Sequence, residues 1–227
     1  MAVIAGVGEL PQGKSDLPHT MALHEKLAHL ALDDAGLELG DVDALLTVSP
    51  RSDPYLIHAT GLAEHLGIAP PVTWTLEAGG AAPAAMVDTA RGLIEGGRAR
   101  SVLIVAADMP LGAVSRNAYV NTLAEVGPVH PDLERPYGPS VPSMFALVAR
   151  AHMAQYGTRE EHLAAVAIQN RRCAALHPNA HYRDVFDIAA YHASKGIAEP
   201  LRLLDCAPVS DGGGAIVVTA DGMGGDR

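Results

Sequence analysis

The chain has 227 residues and a formal net charge of −10, and hydrophobic residues make up 48% of it but aromatic residues only 4%. This acidic balance argues against a nucleic-acid-binding protein and against a protein that binds an anionic membrane surface, because both need a basic face. The scarcity of aromatic residues predicts a core of small aliphatic side chains, which suits helices that lie close on a sheet.

The first half of the chain alternates short apolar strands with amphipathic helices, which predicts a doubly wound α/β arrangement. His24 and His29 lie in the first of these helices, five residues apart, which is not the spacing of a HExxH zinc motif. They are interpreted as histidines on the helix surface. The predicted strands cover residues 2–8, 44–48, 72–76 and 101–107, and the predicted helices cover residues 20–35, 55–66 and 81–95.

The segment GELPQGKS, residues 8–15, fits the phosphate-loop pattern GxxxxGK followed by Ser or Thr, after a predicted strand. Pro11 stiffens this loop and removes one of the N–H groups that would hold a phosphate. Pro18 prevents a helix from starting directly after the pattern, because the residue before a proline disfavours the α region. A surface loop is therefore the better interpretation, and a nucleotide-binding protein is a distant alternative.

The segment VTWTLEAGGAAPAAMV, residues 72–87, predicts a strand that turns over glycines into a helix. Glu77 would lie at the turn, close to the positive end of the helix dipole. Many enzymes of this shape place a nucleophile there, so Glu77 is a candidate site residue. The alternative is an ordinary helix N-cap that faces a polar cavity, because acidic residues are common at helix starts.

The second half is less regular. Residues 108–142 show no period and are rich in Pro, Gly, Asn and Tyr, and so long a run inside a compact domain indicates a functional or binding loop. Two helices follow, the second with Thr158 as N-cap and Glu161 completing a capping box. Asp211 precedes three glycines and the last strand, and it is interpreted as a turn-forming residue rather than a catalyst.

The chain contains two cysteines, Cys173 and Cys206, which cannot build a disulfide framework or a CxxC metal site. Both are predicted to pack in the interior, as unpaired cysteines commonly do. None of the histidines has a metal-ligand spacing, so no metal is expected. The amino-terminal stretch lacks the basic region of a signal peptide, and no stretch reaches the length of a spanning helix. A cytoplasmic protein with no membrane partner is therefore predicted.

Five motifs follow one another in the second half of the chain: YGT (156–158), LAAVA (163–167), NR (170–171), NAHYR (179–183) and GIAEPLRLLDCAPVSDG (196–212). Their order and spacing resemble the amino-terminal half of a thiolase-superfamily protein of the sterol-carrier-protein-x and lipid-transfer-protein branch. The resemblance covers nearly all of the chain. It implies an α/β, thiolase-like layered fold: an amino-terminal βαβαβαββ half with an inserted loop domain. Residues 1–110 and 196–227 would form the core, and residues 111–195 an excursion over the substrate site.

The resemblance also implies a chemistry. Thiolases bind coenzyme A thioesters and make or break a carbon–carbon bond beside the thioester carbonyl, and Glu77 occupies the place of their nucleophilic cysteine. The catalytic histidine of a GHP motif and a second cysteine belong to the other half of the fold, and no GHP occurs in this sequence. Because a carboxylate is a poor acyl acceptor, aldol-type cleavage of an acyl-CoA is favoured over cysteine-dependent thiolysis. The alternative is a non-catalytic structural subunit of a thiolase-like complex.

The ligands and partners implied by the resemblance follow the same pattern. The expected substrate is a coenzyme A thioester, such as one with a steroid-like acyl group, and no bound cofactor is expected. The expected partners are a second copy of the chain, with Trp74 at the contact, and the carboxy-terminal thiolase half or a small acyl-CoA-binding subunit. The inserted loop would supply substrate-binding residues, or else pack as a solvated loop on the dimer mate. Its polar candidates are Tyr119, Asn121, His130, Arg135 and Tyr137.

Overall fold

The computed structural model describes residues 1–113, residue 119 and residues 130–223. It contains two compact units: Met1–Ala113 with Ser210–Arg227, and Val114–Val209. The strands are β1 (Ala2–Glu9), β2 (Ala44–Thr47), β3 (Val72–Thr75), β4 (Ser101–Asp108), β5 (Gly196–Ala198), β6 (Leu201–Arg202) and β7 (Gly212–Ala220). The helices are α1 (Thr20–Ala35), α2 (His58–His65), α3 (Ala82–Glu95), α4 (Pro110–Ala113), α5 (Val141–Tyr156), α6 (Glu160–Leu176) and α7 (Ile188–Ala193).

The first unit is built on a five-stranded sheet with the order β1-β7-β4-β2-β3. Strand β2 runs parallel to both β3 and β4, whereas β7 runs antiparallel to both β4 and β1. Strands alternate with helices along the chain up to β4, and the last strand pairs between β1 and β4. The mixed α/β prediction is confirmed, and the order of elements agrees with a βαβαβαββ unit.

Helices cover both faces of this sheet, and β4 shows why. Successive side chains of a strand point to opposite faces. Leu103 and Val105 pack with α1 and α2, whereas Val102 and Ile104 pack with α3. All four side chains are almost completely buried. The continuous apolar sequence of β4 is therefore that of a central strand with a core on each side.

Strand β1 lies directly against α1. A Cβ atom added at Gly6 or at Gly8 would overlap backbone atoms of α1, so only glycine allows this distance between the strand and the helix. Gly8 is also the first glycine of the phosphate-loop pattern. The close contact between the backbones of β1 and α1 explains why residue 8 is a glycine, and no phosphate-binding role is needed.

The loop after β1 donates backbone hydrogen bonds to Asp211 of the same chain. Gly13 and Asp211 exchange two backbone hydrogen bonds, and the N–H of Ser15 donates to Asp211 Oδ2 at 2.9 Å. Helix α1 begins only at Thr20, with the side chain of His19 as its N-cap. These contacts agree with a structural loop rather than a phosphate-binding one. The turn-forming interpretation of Asp211 is wrong, because this side chain is buried and accepts hydrogen bonds from other segments.

The second unit contains α5, α6, α7 and the β5–β6 hairpin. Residues 196–209, which the resemblance places in the core, belong to the second unit, because the hairpin packs on α5 and the turn at 203–205 packs on α6. The Thr158 N-cap prediction is wrong: Arg159 is the N-cap residue of α6, and Thr158 Oγ1 instead contacts His152 Nδ1 at 2.9 Å. No described helix is long and apolar enough to cross a membrane.

A buried tyrosine holds the second unit together. Tyr191 is fully buried, and its hydroxyl donates to both oxygens of Asp205, at 3.0 and 2.8 Å. The backbone N–H of Arg202 donates to the same carboxylate at 2.7 Å. Burial and, after it, the Asp205 carboxylate raise the pKa of Tyr191 far above its ordinary value. The hydroxyl therefore stays protonated and acts as a structural donor.

The substitution Tyr191→Phe should lower the free energy of unfolding by about 2 kcal/mol, because the Asp205 carboxylate loses a donor in a partly buried site. Urea unfolding followed by circular dichroism measures this change. The matched control is Tyr156→Phe, at a side chain that is 64% exposed, where the midpoint should not move. Equal midpoints for both variants would contradict a structural role for the Tyr191 hydroxyl.

Candidate functional site at the carboxyl ends of the parallel strands

Polar side chains gather where the three parallel strands of the first unit end. Strands β2, β3 and β4 run in one direction, so their carboxyl ends lie at the same edge of the sheet. Ligands of open α/β sheets bind at this edge. Residues 49–52 follow β2, Glu77 follows β3, and Asp108 is the last residue of β4.

Glu77 contacts the loop that follows the neighbouring strand. Its Oε1 accepts a hydrogen bond from the N–H of Ser49 at 3.1 Å, and its Oε2 lies 3.4 Å from Arg51 Nη2. The N-cap interpretation is wrong, because a 3-10 turn over Gly79–Ala81 separates Glu77 from α3, and the N-cap position of α3 is occupied by Ala81. The side chain is 44% exposed, so the carboxylate lies at an open edge.

Asp108 holds the same loop from the other side. Its Oδ2 accepts from the N–H of Arg51 at 3.1 Å, and its Oδ1 accepts from the N–H of Ser52 at 3.0 Å. The hydroxyl of Ser52 also donates to Oδ1, and the N–H of Met109 donates to Oδ1 at 2.9 Å. The backbone of the loop is therefore fixed by hydrogen bonds that involve an ionisable acceptor, which are the stronger kind.

We call this arrangement the carboxylate clamp: Glu77, Asp108 and the loop of residues 49–52. Strand β2 lies between β3 and β4, so the loop after the middle strand is held by one carboxylate from each neighbouring strand. Exposed ion pairs such as Arg51–Glu77 contribute about 0–1 kcal/mol to stability. The pair therefore adds little stability. Its effect is to hold a cation and an anion close together at the edge of the sheet, where a ligand can reach them.

A groove of about 500 Å³ runs across the second unit. One wall is an apolar face of α6, and Arg171 projects from this face. Its guanidinium lies 5.5 Å from the ring centre of Tyr182 and 5.2 Å from that of Phe186, and it donates to the carbonyl of Asp184 at 3.0 Å. The groove thus combines apolar walls with a guanidinium that lies beside two aromatic rings, and Asp205 also lines it.

The chain matches no protein-family model. It is 32% identical over 228 residues to the 17-hydroxy-3-oxo-4-pregnene-20-carboxyl-CoA lyase of Mycobacterium tuberculosis, in an alignment that covers 96% of this chain and 57% of the relative. The solved structure of an Ltp2-ChsH2(DUF35) aldolase superposes with a TM-score of 0.79 at 31% identity, over 97% of this chain and 56% of that one.

A monomeric SCP2-thiolase like protein from Mycobacterium smegmatis shares the fold, with a TM-score of 0.65 at 19% identity over 96% of this chain and 45% of that one. The chain is thiolase-like, and its homologues include a carboxyl-CoA lyase and an aldolase. The resemblance seen in the sequence is thereby confirmed. The chain spans about half of the length of these superfamily members.

The residues predicted to bind substrate fall in the inserted segment of this thiolase-like chain. Asn121 lies outside the described residues. The others belong to the second unit, where Tyr137 is 87% exposed and His130 Nδ1 accepts from two backbone N–H groups of its own turn. Their part in substrate binding stays a prediction. These described candidates are Tyr119, His130, Arg135 and Tyr137.

Neither cysteine suits the covalent chemistry of a thiolase. Cys206 lines the groove, and burial and then Asp205 raise the pKa of its thiol, which disfavours the nucleophilic thiolate. Cys173 is exposed on α6, so the prediction that it packs in the interior is wrong.

The interpretation of His24 and His29 as surface histidines is correct for His29 and wrong for His24. His29 is exposed, but His24 is completely buried, with its Nε2 3.4 Å from Nε2 of His58. Within residues 1–113 and 130–223, no group of three or more His, Cys, Asp or Glu could hold a metal ion. Arg51 and Asp108 were not among the residues predicted for the site. Both are polar residues that come shortly after predicted strands, and this position in the sequence could have indicated them.

Proposed function

We propose that this chain forms part of a thiolase-like lyase that cleaves a carbon–carbon bond of an acyl-CoA by an aldol-type reaction. The observation that carries the proposal is Glu77, which stands at the nucleophile's place in the resemblance and is paired with Arg51 and the Ser49 N–H. The printed names of two similar proteins, a carboxyl-CoA lyase and an aldolase, support the same reaction class.

The reaction needs no covalent acyl-enzyme. A general base takes the proton of the β-hydroxyl, the bond between the α and β carbons breaks, and its electron pair forms the enolate of the CoA thioester, which then takes a proton. Stabilising the enolate oxygen is the main electrostatic task. A carboxylate in place of a nucleophile is compatible with this chemistry. We assign Glu77 to holding Arg51 and the loop at the site, with the acid and base groups supplied by the rest of the assembly.

The proposed substrate is a β-hydroxyacyl-CoA with a steroid-like acyl group, and no bound cofactor is part of the proposal. The proposed partners are the second half of the thiolase-like fold and a small acyl-CoA-binding subunit. The structural relative described as an Ltp2-ChsH2(DUF35) aldolase supports a partner subunit. A cytoplasmic location stays a prediction from the sequence.

The proposed homodimer would form through β3. This strand is at the edge of the sheet, and its Trp74 side chain is 40% exposed with Arg98 5.9 Å above the ring. An exposed edge strand offers unpaired N–H and C=O groups to a second strand. Trp74 adds an aromatic side chain of the type enriched in interface cores.

The test is an acyl-CoA cleavage assay on the chain co-expressed with a chain that carries the second half of the fold and with a candidate small partner. The substitution Glu77→Ala should reduce kcat/KM roughly 10- to 100-fold, because a loop displaced by about 1 Å can cost that much. Glu77→Gln should recover part of the loss, since its amide oxygen still accepts the Ser49 N–H.

The matched control is Glu95→Gln, at a carboxylate of similar exposure at the end of α3, where the rate should not change. A wild-type rate that persists in Glu77→Ala would remove Glu77 from the site. Neither binding nor turnover of acyl-CoA in any combination of chains would support the non-catalytic structural subunit instead.

A further inference from the structure

Two histidines are completely enclosed between α1 and α2, outside the carboxylate clamp. His24 of α1 is 0% exposed and His58, the first residue of α2, is 1% exposed. Their ring centres lie 4.9 Å apart, and the two Nε2 atoms face each other at 3.4 Å. Histidine is seldom enclosed without a structural reason, because its protonation is costly away from water.

The contacts fix which nitrogen of each ring carries hydrogen. His24 Nδ1 lies 2.7 Å from the carbonyl oxygen of Thr20, which can only accept, so His24 is protonated at Nδ1 and carries a lone pair at Nε2. His58 must therefore donate from Nε2. Its Nδ1 is then a bare lone pair, and this buried atom has no hydrogen-bond partner among the described residues.

Nearby acidic groups are engaged elsewhere. Asp53 accepts hydrogen bonds from the hydroxyls of Thr20 and Tyr55 at 2.8 and 3.0 Å, and Asp108 holds the loop of the clamp. The ring of Tyr55 lies 5.6 Å from that of His58. On the α2 side, His65 adds a further titratable group, which pairs with Glu25 at 3.0 Å.

These surroundings favour the neutral pair. The pKa of His24 is lowered to about 4, chiefly by burial; the Thr20 carbonyl and Asp108 oppose this shift, whereas His58 and His65 add to it. Burial also lowers the pKa of His58, and Asp53 opposes that shift. A proton on His24 Nε2 would place this N–H group opposite the Nε2–H group of His58, so that two donors would face each other without an acceptor. A proton on His58 Nδ1 would place a charge and an unpaired N–H in the interior.

We propose that His24 and His58 form an acid-operated latch that joins α1 to α2 when both rings are neutral and releases α2 when they take up protons. Residues 53–57 join α2 to the loop of the carboxylate clamp, and the Thr20 hydroxyl holds Asp53 independently of the two rings. The latch rests on the contacts of His24 and His58, so it stands apart from the proposed reaction.

The direction follows from linkage. Below the ordinary histidine pKa of 6.5, both rings take up protons more readily in the open state than in the closed state, because burial lowers the pKa of each ring in the closed state. The closed state is therefore fully favoured above this pH and is lost as pH falls towards the lowered values. Each histidine increases the opening equilibrium constant about tenfold per pH unit in this window, so the pair gives up to about a hundredfold.

The first measurement uses the full wild-type chain labelled with ¹⁵N at its histidines. At pH 7.5, His24 should show the Nδ1–H tautomer and His58 the Nε2–H tautomer. Neither ring should charge while α2 remains closed, and exposed His29 serves as the internal reference. His24 in the Nε2–H tautomer, or charging of either ring in a closed α2, would overturn the latch.

The second measurement is hydrogen exchange of the α2 amides, expressed as protection factors, between pH 7.5 and 4.5. Protection should fall by up to about a hundredfold per pH unit below pH 6.5 in the wild type and about tenfold in His58→Phe, which retains one histidine. The control His29→Gln should follow the wild type. Protection that is independent of pH in the wild type, or an equal slope in His58→Phe, would overturn the proposal.

Discussion

The substitution Asp211→Ala should lower the free energy of unfolding by about 4 kcal/mol, because it removes a buried carboxylate that two backbone donors need. Asp211 is 1% exposed. Its Oδ2 accepts from the N–H of Ser15 at 2.9 Å, and its Oδ1 accepts from the N–H of Leu111 at 2.7 Å. The side chain thus ties the loop after β1 and the start of α4 to the segment that enters β7. Urea unfolding followed by circular dichroism measures the loss.

Two further variants decide how the effect arises. Asp211→Asn keeps one acceptor oxygen, so it should lose about half as much stability as the alanine variant. The control is Asp88→Ala on α3, where the carboxylate is 74% exposed and pairs with Arg91 one turn away, and the midpoint should not move. An alanine variant at position 211 as stable as the wild type would show that the two N–H groups find other acceptors.

The substitution Gly8→Ala should cost about 3 kcal/mol, because its new methyl group must push β1 away from α1. The added Cβ would overlap the carbonyl oxygen of Leu27 and the backbone nitrogen of Ala31, and backbone atoms of a helix cannot move aside as a flexible side chain can. Thermal unfolding measures the change. The same variant tests the origin of the phosphate-loop pattern, since a packing role predicts lost stability without any nucleotide.

Gly92→Ala provides the control with the opposite sign. Gly92 lies within α3, and a Cβ there meets no atom within 4 Å. Alanine should therefore raise stability by about 0.5–1 kcal/mol, through its higher helix propensity. Two glycine-to-alanine changes in one unit would thus move stability in opposite directions. A neutral or stabilising effect at Gly8 would mean that β1 and α1 are less closely packed than the structure shows.

The sequence by itself determined the alternation of elements in the first unit. Residues 102–107 are continuously apolar, and such a run is typical of a strand with a core on both faces, as β4 is. The same local signals placed Glu77 directly after a strand. They did so because strand and turn preferences are set by residues close together in the chain.

The tertiary structure alone decided what polar residues contact. His24 is interpreted from the sequence as a helix-surface residue, yet α2 covers it with His58, 34 residues away in the chain. Likewise, Asp211 finds its donor Ser15 across 196 residues, and Glu77 finds its partner Arg51 across 26. Local pattern records which side chains can be buried, but burial of a polar group depends on a partner that only folding brings near. The carboxylate clamp and the histidine latch are both of this kind.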